Sequence, residues 1–377
     1  MSERNRFADL SHALPYWVSL AIVPIVWLAA TQGSWTVLLI PLSTWFLFSV
    51  LDRIIGLDLA NADPETPDTA FLWHRLVTVI WVPVQFLTIF GTIGFMVRSG
   101  HLDIWEMFAV AFGIGVLSGT VGIVYAHELM HQKNRFERWL GDLLMTMALY
   151  GHFRSEHLLV HHSHVGTPLD AVTARYDESF HAFFPRVLWQ CLKSAWKAEK
   201  TRLNRKGLPV WDRSNPFWRY LALQLAWLLL ALLLAGWIGL SLFIFQAIIA
   251  VWQLELVNYV EHYGLTRKYL GGGKYEPQRP HHSWNAAHYA SNRLLINLQR
   301  HSDHHTNPNR RFPLLRTYTK DEAPQLPFGY PIMTTMALIP PLWRRKMNPK
   351  VRQWRARFYP EITDWRPYSE ATNPSSR

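Results

Sequence analysis

Cysteine is almost absent: Cys191 is the single thiol. That scarcity excludes a disulfide framework, a zinc or iron centre held by four thiolates, and a thiolate-iron electron carrier within these residues, since each needs at least two cysteines. Any electrons the chemistry uses must arrive from another chain. Charge is scarce as well, at 17% Asp, Glu, Lys and Arg against 49% hydrophobic residues. So little polar surface does not suit an ordinary soluble globule, and lipid supplies the missing environment. The first residues, MSERNRFADLSHALP, are polar, and the apolar run after them lacks a small-residue cleavage site, so no cleavable signal peptide is expected. No internal repeat is evident.

What is present in quantity is apolar sequence in long runs. Six stretches approach the ~20 residues that cross a hydrocarbon core, at about 14–31, 35–51, 76–97, 104–126, 217–237 and 238–259. The expected fold class is therefore all-α and integral to the membrane: six transmembrane helices under a histidine-rich helical cap. Residues 1–369 are expected to form one membrane-embedded catalytic unit, and 370–377, rich in Ser, Thr, Asn and Pro, a disordered tail or linker. Connections between the runs are unequally charged. Few charges lie at 32–34, 98–103 and 236–239, whereas Lys133, Arg135, Arg138, Arg154, Lys193, Lys197, Arg202 and Arg213 crowd the segment after the fourth run. By the positive-inside rule, segments 127–216 and 260–369 and both termini are cytoplasmic. The same clustering explains the net charge of +11 as membrane topology and argues against nucleic-acid binding. Two shorter apolar stretches, 136–150 and 330–343, read as interfacial or re-entrant helices, with Pro340-Pro341 ending the second.

The 18 histidines carry the functional argument. Four pieces stand out: HELMH (127–131), EHLLVHH (156–162), NYVEHYG (258–264) and LQRHSDHH (298–305). His127 and His131 are four apart, about 40° around a helix axis, which suits two ligands on one metal. HExxH alone is also the signature of zinc proteases, with Glu128 as base. The other pieces change that reading. Adjacent side chains on a helix diverge by about 100°, so the pairs His161-His162 and His304-His305 suit two metals better than one. His127, His131, His157, His161, His162, His262, His301, His304 and His305 make nine imidazoles, more than one ion takes with a position left open. Nitrogen-rich spheres with vacancies favour iron over magnesium, calcium or zinc, and leave copper open on ligand grounds. Glu128, Glu156, Glu261 and Asp303 each adjoin one of these histidines in sequence and, with Asp170, are expected to accept the free imidazole N–H of a ligand; pairing with Arg154 or Arg300 is the competing reading. His281, His282 and His288 have no acidic neighbour in sequence and are left out of the site. His12, His74, His101, His152 and His181 read as surface or interfacial residues.

With those motifs in that order, the chain resembles the membrane alkane monooxygenases, the alkane hydroxylase family, within the wider histidine-box group that includes fatty-acid desaturases. HELMH, EHLLVHH and LQRHSDHH match the three histidine boxes, and NYVEHYGL matches the family's additional motif. Met130 stands where the family has Gly, Gln132 where it has Lys, and Val160 where it has Gly; none of these removes a histidine. The resemblance implies a six-helix bundle in the bacterial inner membrane and a cytoplasm-facing pair of iron ions held by the nine histidines. It implies O2 as co-substrate, and rubredoxin with its reductase and NAD(P)H as electron source. Its reaction would be terminal hydroxylation of medium-to-long n-alkanes to 1-alkanols. A desaturase or fatty-acid hydroxylase, a membrane zinc protease, and a metal transporter or sensor are the alternatives. Trp45, Phe46, Phe86, Phe90, Phe112 and Leu117 are candidates for lining a substrate path, although packing or lipid contact is the commoner role for such residues. Gly115, Gly119 and Gly122 are expected to let helices approach closely.

Overall fold

A computed structural model describes residues 10–365, so the expected tail at 370–377 lies outside the described residues. Apolar runs become long helices because no water is available to satisfy their backbone groups, which must pair internally. Five helices are long and apolar enough to cross a membrane: α1 (Leu10–Gln32), α2 (Ser34–Ile55), α3 (Asp68–Ser99), α4 (Ile104–His131) and, later in the chain, α7 (Phe217–His262). Between them lie α5 (Arg135–Met147) and α6 (Phe180–Asn204); α8 (Tyr330–Ala337) and α9 (Pro340–Phe358) follow. A two-stranded hairpin, Tyr269–Gly271 with Lys274–Tyr275, is the one sheet among the described residues and was not expected.

The fifth and sixth expected runs form one 46-residue helix, α7, broken at Ala235 and Gly236. The break reverses the chain. Trp227, before it, and Phe243, after it, both touch Phe90, with ring centroids 5.7 and 5.1 Å away. Sixteen residues of straight helix would hold them about 24 Å apart. Two hydrogen bonds span the same reversal: Trp227 Nε1 donates to Thr146 Oγ1 at 3.1 Å and Gln246 Nε2 to the Met147 carbonyl at 3.0 Å. Gly236 supplies the positive φ of 60° that the reversal needs.

α4 is the central helix, buried along most of its length. It starts with a capping box in which Asp103 accepts from the Glu106 amide and Glu106 accepts from the Asp103 amide. Glu106 also takes the Ser34 amide at 2.7 Å, tying α4 to the α1–α2 turn. Against the second limb of α7, Gly119 lies so close that a Cβ there would sit 2.6 Å from the Ala250 carbonyl oxygen. This contact brings together the two helices that carry His127, His131 and His262.

Tryptophans mark both borders of the apolar belt, as the amphipathic indole ring favours. Trp35, Trp105 and Trp237 are exposed at the start of α2, the start of α4 and the bend of α7, all away from the histidines; Trp139, Trp189, Trp211 and Trp218 are exposed on the histidine side. There α5, capped by Asn134, turns Phe136 and Trp139 outward and packs Leu140, Leu144 and Met145 inward. Pro340-Pro341 does more than end a helix: it occupies the first turn of α9, where the missing amide is not needed.

Candidate metal centre

α4 and α7 both run on past their apolar stretches, so His127 and His131 form the last turn of α4 and His262 ends α7. A short helix over Phe153–Glu156 passes into a π-helical turn at His157–His161, and a further short helix, His301–Thr306, presents the last cluster. Widened turns of this kind recur at functional sites because they re-aim side chains that regular helix would stack on one face. Here the turn sends His157 and His161, four apart, to different partners.

The four segments converge into two sets. His127, His131, His157 and His304 form one, and His161, His262, His301 and His305 the other; in each set the candidate ligand atoms all lie within 4.8 Å of one another. In the first set, His157 Nε2 faces the Nε2 atoms of His127 and His131 at 2.9 Å and that of His162 at 3.0 Å. One ring nitrogen can place at most one proton between itself and a neighbour, so three such contacts mean lone pairs converging on a cation site. In the second set, His305 Nε2 faces those of His161 and His301 at 3.2 and 3.0 Å, and His301 Nε2 faces His262 Nε2 at 3.1 Å. Metal–imidazole bonds of about 2.1 Å give neighbouring nitrogens about 3.0 Å apart in an octahedral sphere and about 3.4 Å in a tetrahedral one. The observed edges match the former. Of the adjacent pairs, His304 and His305 divide between the sets, whereas His162 falls in neither: it faces His157 of the first, and its ring lies 4.8 Å from that of His305 of the second.

Seven of the nine imidazoles are buried, His127 and His162 being half-buried. Burial first, and then the neighbouring imidazoles, push His157, His301, His304 and His305 well below the ordinary histidine range. They are neutral at physiological pH, the state in which imidazole binds metal.

The carboxylates sort differently from their sequence positions. Asp170 Oδ2 accepts from His161 Nδ1 at 3.0 Å and from Thr173 Oγ1 at 2.7 Å. Burial alone would raise this carboxyl; His161 and the hydrogen bonds outweigh it and hold it low. Glu261 Oε1 lies 3.3 Å from His301 Nδ1. Glu128, by contrast, touches no imidazole: it accepts from Gln132 Nε2 at 2.9 Å, so Gln132, at the family's lysine position, occupies it. Asp303 is likewise drawn away, held by Arg310 at 2.9 and 2.7 Å and by the Tyr318 hydroxyl, which is the arginine-pairing alternative with a different arginine. Glu156 is buried with neither oxygen partnered; burial and the nearby Asp170 and Glu255 charges push it up.

Other histidines separate cleanly. His281 and His282 meet the Tyr359 hydroxyl at 3.2 and 2.7 Å, in a group with Glu276 outside both sets. His74 is buried among Tyr16, Phe71 and Phe312, and His152 has a buried Nε2, so neither lies on the open surface. Arg267 was not foreseen: it donates to the Ser163 and Val165 carbonyls just after His162 and fixes that segment's exit. A lone arginine outside the motifs gives no sequence signal for this role.

Beneath the two sets, a narrow pocket between α4 and α7 is walled by Gly119, Ile123, Val124, Leu254 and Val257 and closes on His127, His157 and His301. None of the six expected lining residues borders it. Phe90 and Phe86 pack on Trp227, and Phe46 is exposed.

The fatty acid desaturase family profile matches residues 103–337, the stretch that holds all nine clustered histidines. The chain is 39% identical over 365 residues to alkane 1-monooxygenase 1 of Pseudomonas aeruginosa, covering 93% of each. It is 38% identical over 355 residues to alkane 1-monooxygenase 2 of that organism, covering 92% of this chain and 90% of the relative. The xylene/toluene monooxygenase hydroxylase component XylM of Pseudomonas putida is 32% identical over 306 residues, 80% of this chain and 79% of its own. The chain therefore belongs to the alkane 1-monooxygenase family, within the histidine-box fatty acid desaturase family.

Proposed function

We propose that the enzyme hydroxylates medium-to-long n-alkanes at the chain terminus, consuming O2, two electrons and two protons and giving a 1-alkanol and water. The observation that carries the reading is the pair of adjacent imidazole quartets at the closed end of an apolar pocket. His127, His131, His157, His162 and His304 would hold one iron and His161, His262, His301 and His305 the other. An iron pair supplies the O2 activation that cleavage of an unactivated C–H bond requires and that side-chain acids and bases cannot provide.

The chain's own residues do the rest. Ile123, Val124, Leu254 and Val257 would face the terminal methyl of the substrate and keep water from the reacting carbon. Asp170 fixes the orientation of His161 by taking its Nδ1 proton, which aims the Nε2 lone pair inward, and Glu261 lies beside His301 Nδ1 without a hydrogen bond to it. Asp170, held in its charged form by His161 and its hydrogen bonds, provides negative charge beside a centre whose ligands are all neutral.

In this reading the two limbs of α7 are separate crossings, which makes six, and the histidines and both termini face the cytoplasm at the bacterial inner membrane. Electrons arrive from rubredoxin, an acidic carrier that suits the strongly basic α9, which carries Arg344, Arg345, Lys346, Lys350 and Arg352. The decisive experiment is metal analysis with dodecane turnover on purified protein, wild type beside His262→Ala. Two irons per chain and 1-dodecanol, with the alcohol lost in the variant, support the proposal; an alkene product or a single zinc overturns it.

A further inference from the structure

A cavity of about 910 Å³ opens on the histidine side of the protein, and none of the nine clustered histidines walls it. Most of its wall is apolar, with Leu57, Leu59, Ala287, Leu326, Trp354 and Phe358 contributing. Leu57 and Leu59 follow directly on α2, whose last residues, Ile54 and Ile55, are exposed as they are. An apolar track therefore runs from the end of α2 into the cavity.

The ionisable groups of the wall are one-sided: His288, Tyr318, Lys320, Lys350 and Arg357, none of them a carboxylate. Three are engaged already. The Tyr318 hydroxyl donates to Asp303 Oδ1 at 3.1 Å, Arg357 pairs with Asp321 at 2.8 Å, and His288 lies near the buried Asp52 carboxylate. Glu322, the other acid beside Lys320, accepts from the Thr319 amide and hydroxyl. Lys320 and Lys350 are left without a carboxylate partner among the described residues. Burial, and then the charges of Lys346 and Lys320, push the Lys350 ammonium down, so these cations crowd together with nothing to neutralise them. An anion between them would remove that repulsion.

We propose that this cavity binds an amphiphile with an anionic head and an alkyl chain, its head between Lys320 and Lys350 and its chain over Trp354, Leu326 and Ala287 toward Leu57 and Leu59. Two unpaired ammonium groups beside an apolar hollow match both ends of such a molecule. A hydrocarbon or an alcohol would leave the lysines uncompensated. A nucleotide would set polar rings and hydroxyls against leucine and proline, because the nearby amides are committed: Asn61 exchanges two hydrogen bonds with Thr317, and Gln325 donates to the Tyr318 and Ala323 carbonyls. The site stands independently of the hydroxylation reading, since neither lysine belongs to the quartets or to the pocket beneath them.

The test is photo-crosslinking of the full-length holoenzyme in phosphatidylcholine nanodiscs with a diazirine-bearing palmitate, followed by peptide mapping. Labelling should fall within 57–61, 284–288, 317–327 and 350–358, the segments that wall the cavity. Palmitate should compete far better than hexadecanol or hexadecane. Lys350→Met and Lys320→Met keep most of each apolar stem, and each should weaken binding roughly 10-fold, the worth of one hydrogen bond to a charged group. Leu59→Asp, at an exposed position, should lower labelling by setting an anion on the alkyl track. All three positions are exposed or half-buried, so the fold is kept. Labelling lost when phosphatidylglycerol is added to the nanodiscs names the bilayer's own lipid as the source, and labelling that survives it names the free acid; both uphold the site. Labelling elsewhere, equal competition by hexadecanol, or unchanged affinity in both lysine variants overturns it. Displacement of the probe by rubredoxin but not by palmitate overturns it too, and marks the cavity as part of a protein interface.

Discussion

His161 gives its Nδ1 proton to Asp170 at 3.0 Å, and Asp170 is in turn held by the Thr173 hydroxyl and the Val172 amide. The carboxylate thereby fixes the tautomer that leaves the Nε2 lone pair of His161 facing His305 and the rest of the second quartet. Asp170→Asn keeps the shape and loses the charge. Iron affinity should fall about 10- to 100-fold, the usual cost of losing such a support. Iron retained against a graded chelator series measures it, and retention equal to wild type would show that Asp170 only braces the loop.

The two quartets share no imidazole, so they should empty separately. His131→Ala should lower iron from about two to about one per chain, His305→Ala should do the same, and the double variant should hold almost none. Metal analysis after gel filtration decides it. Loss of both ions in either single variant would mean one cooperative cluster.

Gly119 is predicted to be sensitive to a single methyl group. In Gly119→Ala the new Cβ meets the Ala250 carbonyl and the Gln253 side chain, so α4 and α7 must move apart. Overpacking of this kind costs about 1–3 kcal/mol. Thermal unfolding should shift downward and dodecane turnover should fall with it, since the same two helices wall the pocket. An unchanged midpoint refutes the tight contact.

Glu276 links acid stability to the C-terminal segment. Burial alone would raise its carboxyl, but hydrogen bonds from His282, the Lys268 amide and Tyr359 prevail and hold it at about 2, below its ordinary value of 4.5. A carboxyl lowered on folding stabilises above its unfolded value and loses that contribution as pH falls toward its folded one. Stability should therefore drop between about pH 4.5 and 2, and Glu276→Gln should flatten that part of the profile. Matched wild-type and variant unfolding curves across this range check the sign.

Electrostatic steering of an acidic electron carrier weakens as salt screens it. Turnover with rubredoxin limiting should decline steeply between low and physiological ionic strength, and saturating rubredoxin should restore it. Indifference to salt would place docking elsewhere than on the α9 face.

Much of the site was legible because helical periodicity and the divergence of adjacent side chains are local rules. They put His127 with His131 and separated His304 from His305. The carboxylates were less legible. Glu128 and Asp303 are as close in sequence to a histidine as Glu261 is, yet Gln132 and Arg310 claim them, because a hydrogen bond depends on which side chain reaches first in space. Arg267 and the pocket walls carry no motif at all.

The amino-acid order alone determined the apolar helices and the crowding of imidazoles at their polar ends, since these follow from local hydrophobicity and from the spacing of the histidines. Only the tertiary structure decided that α7 reverses at Gly236, that the π-helical turn splits His157 from His161, and that Asp170 rather than Asp303 supports a ring. Each of those depends on contacts between segments far apart in the chain, and such contacts exist only after packing has set the helices at their final distance.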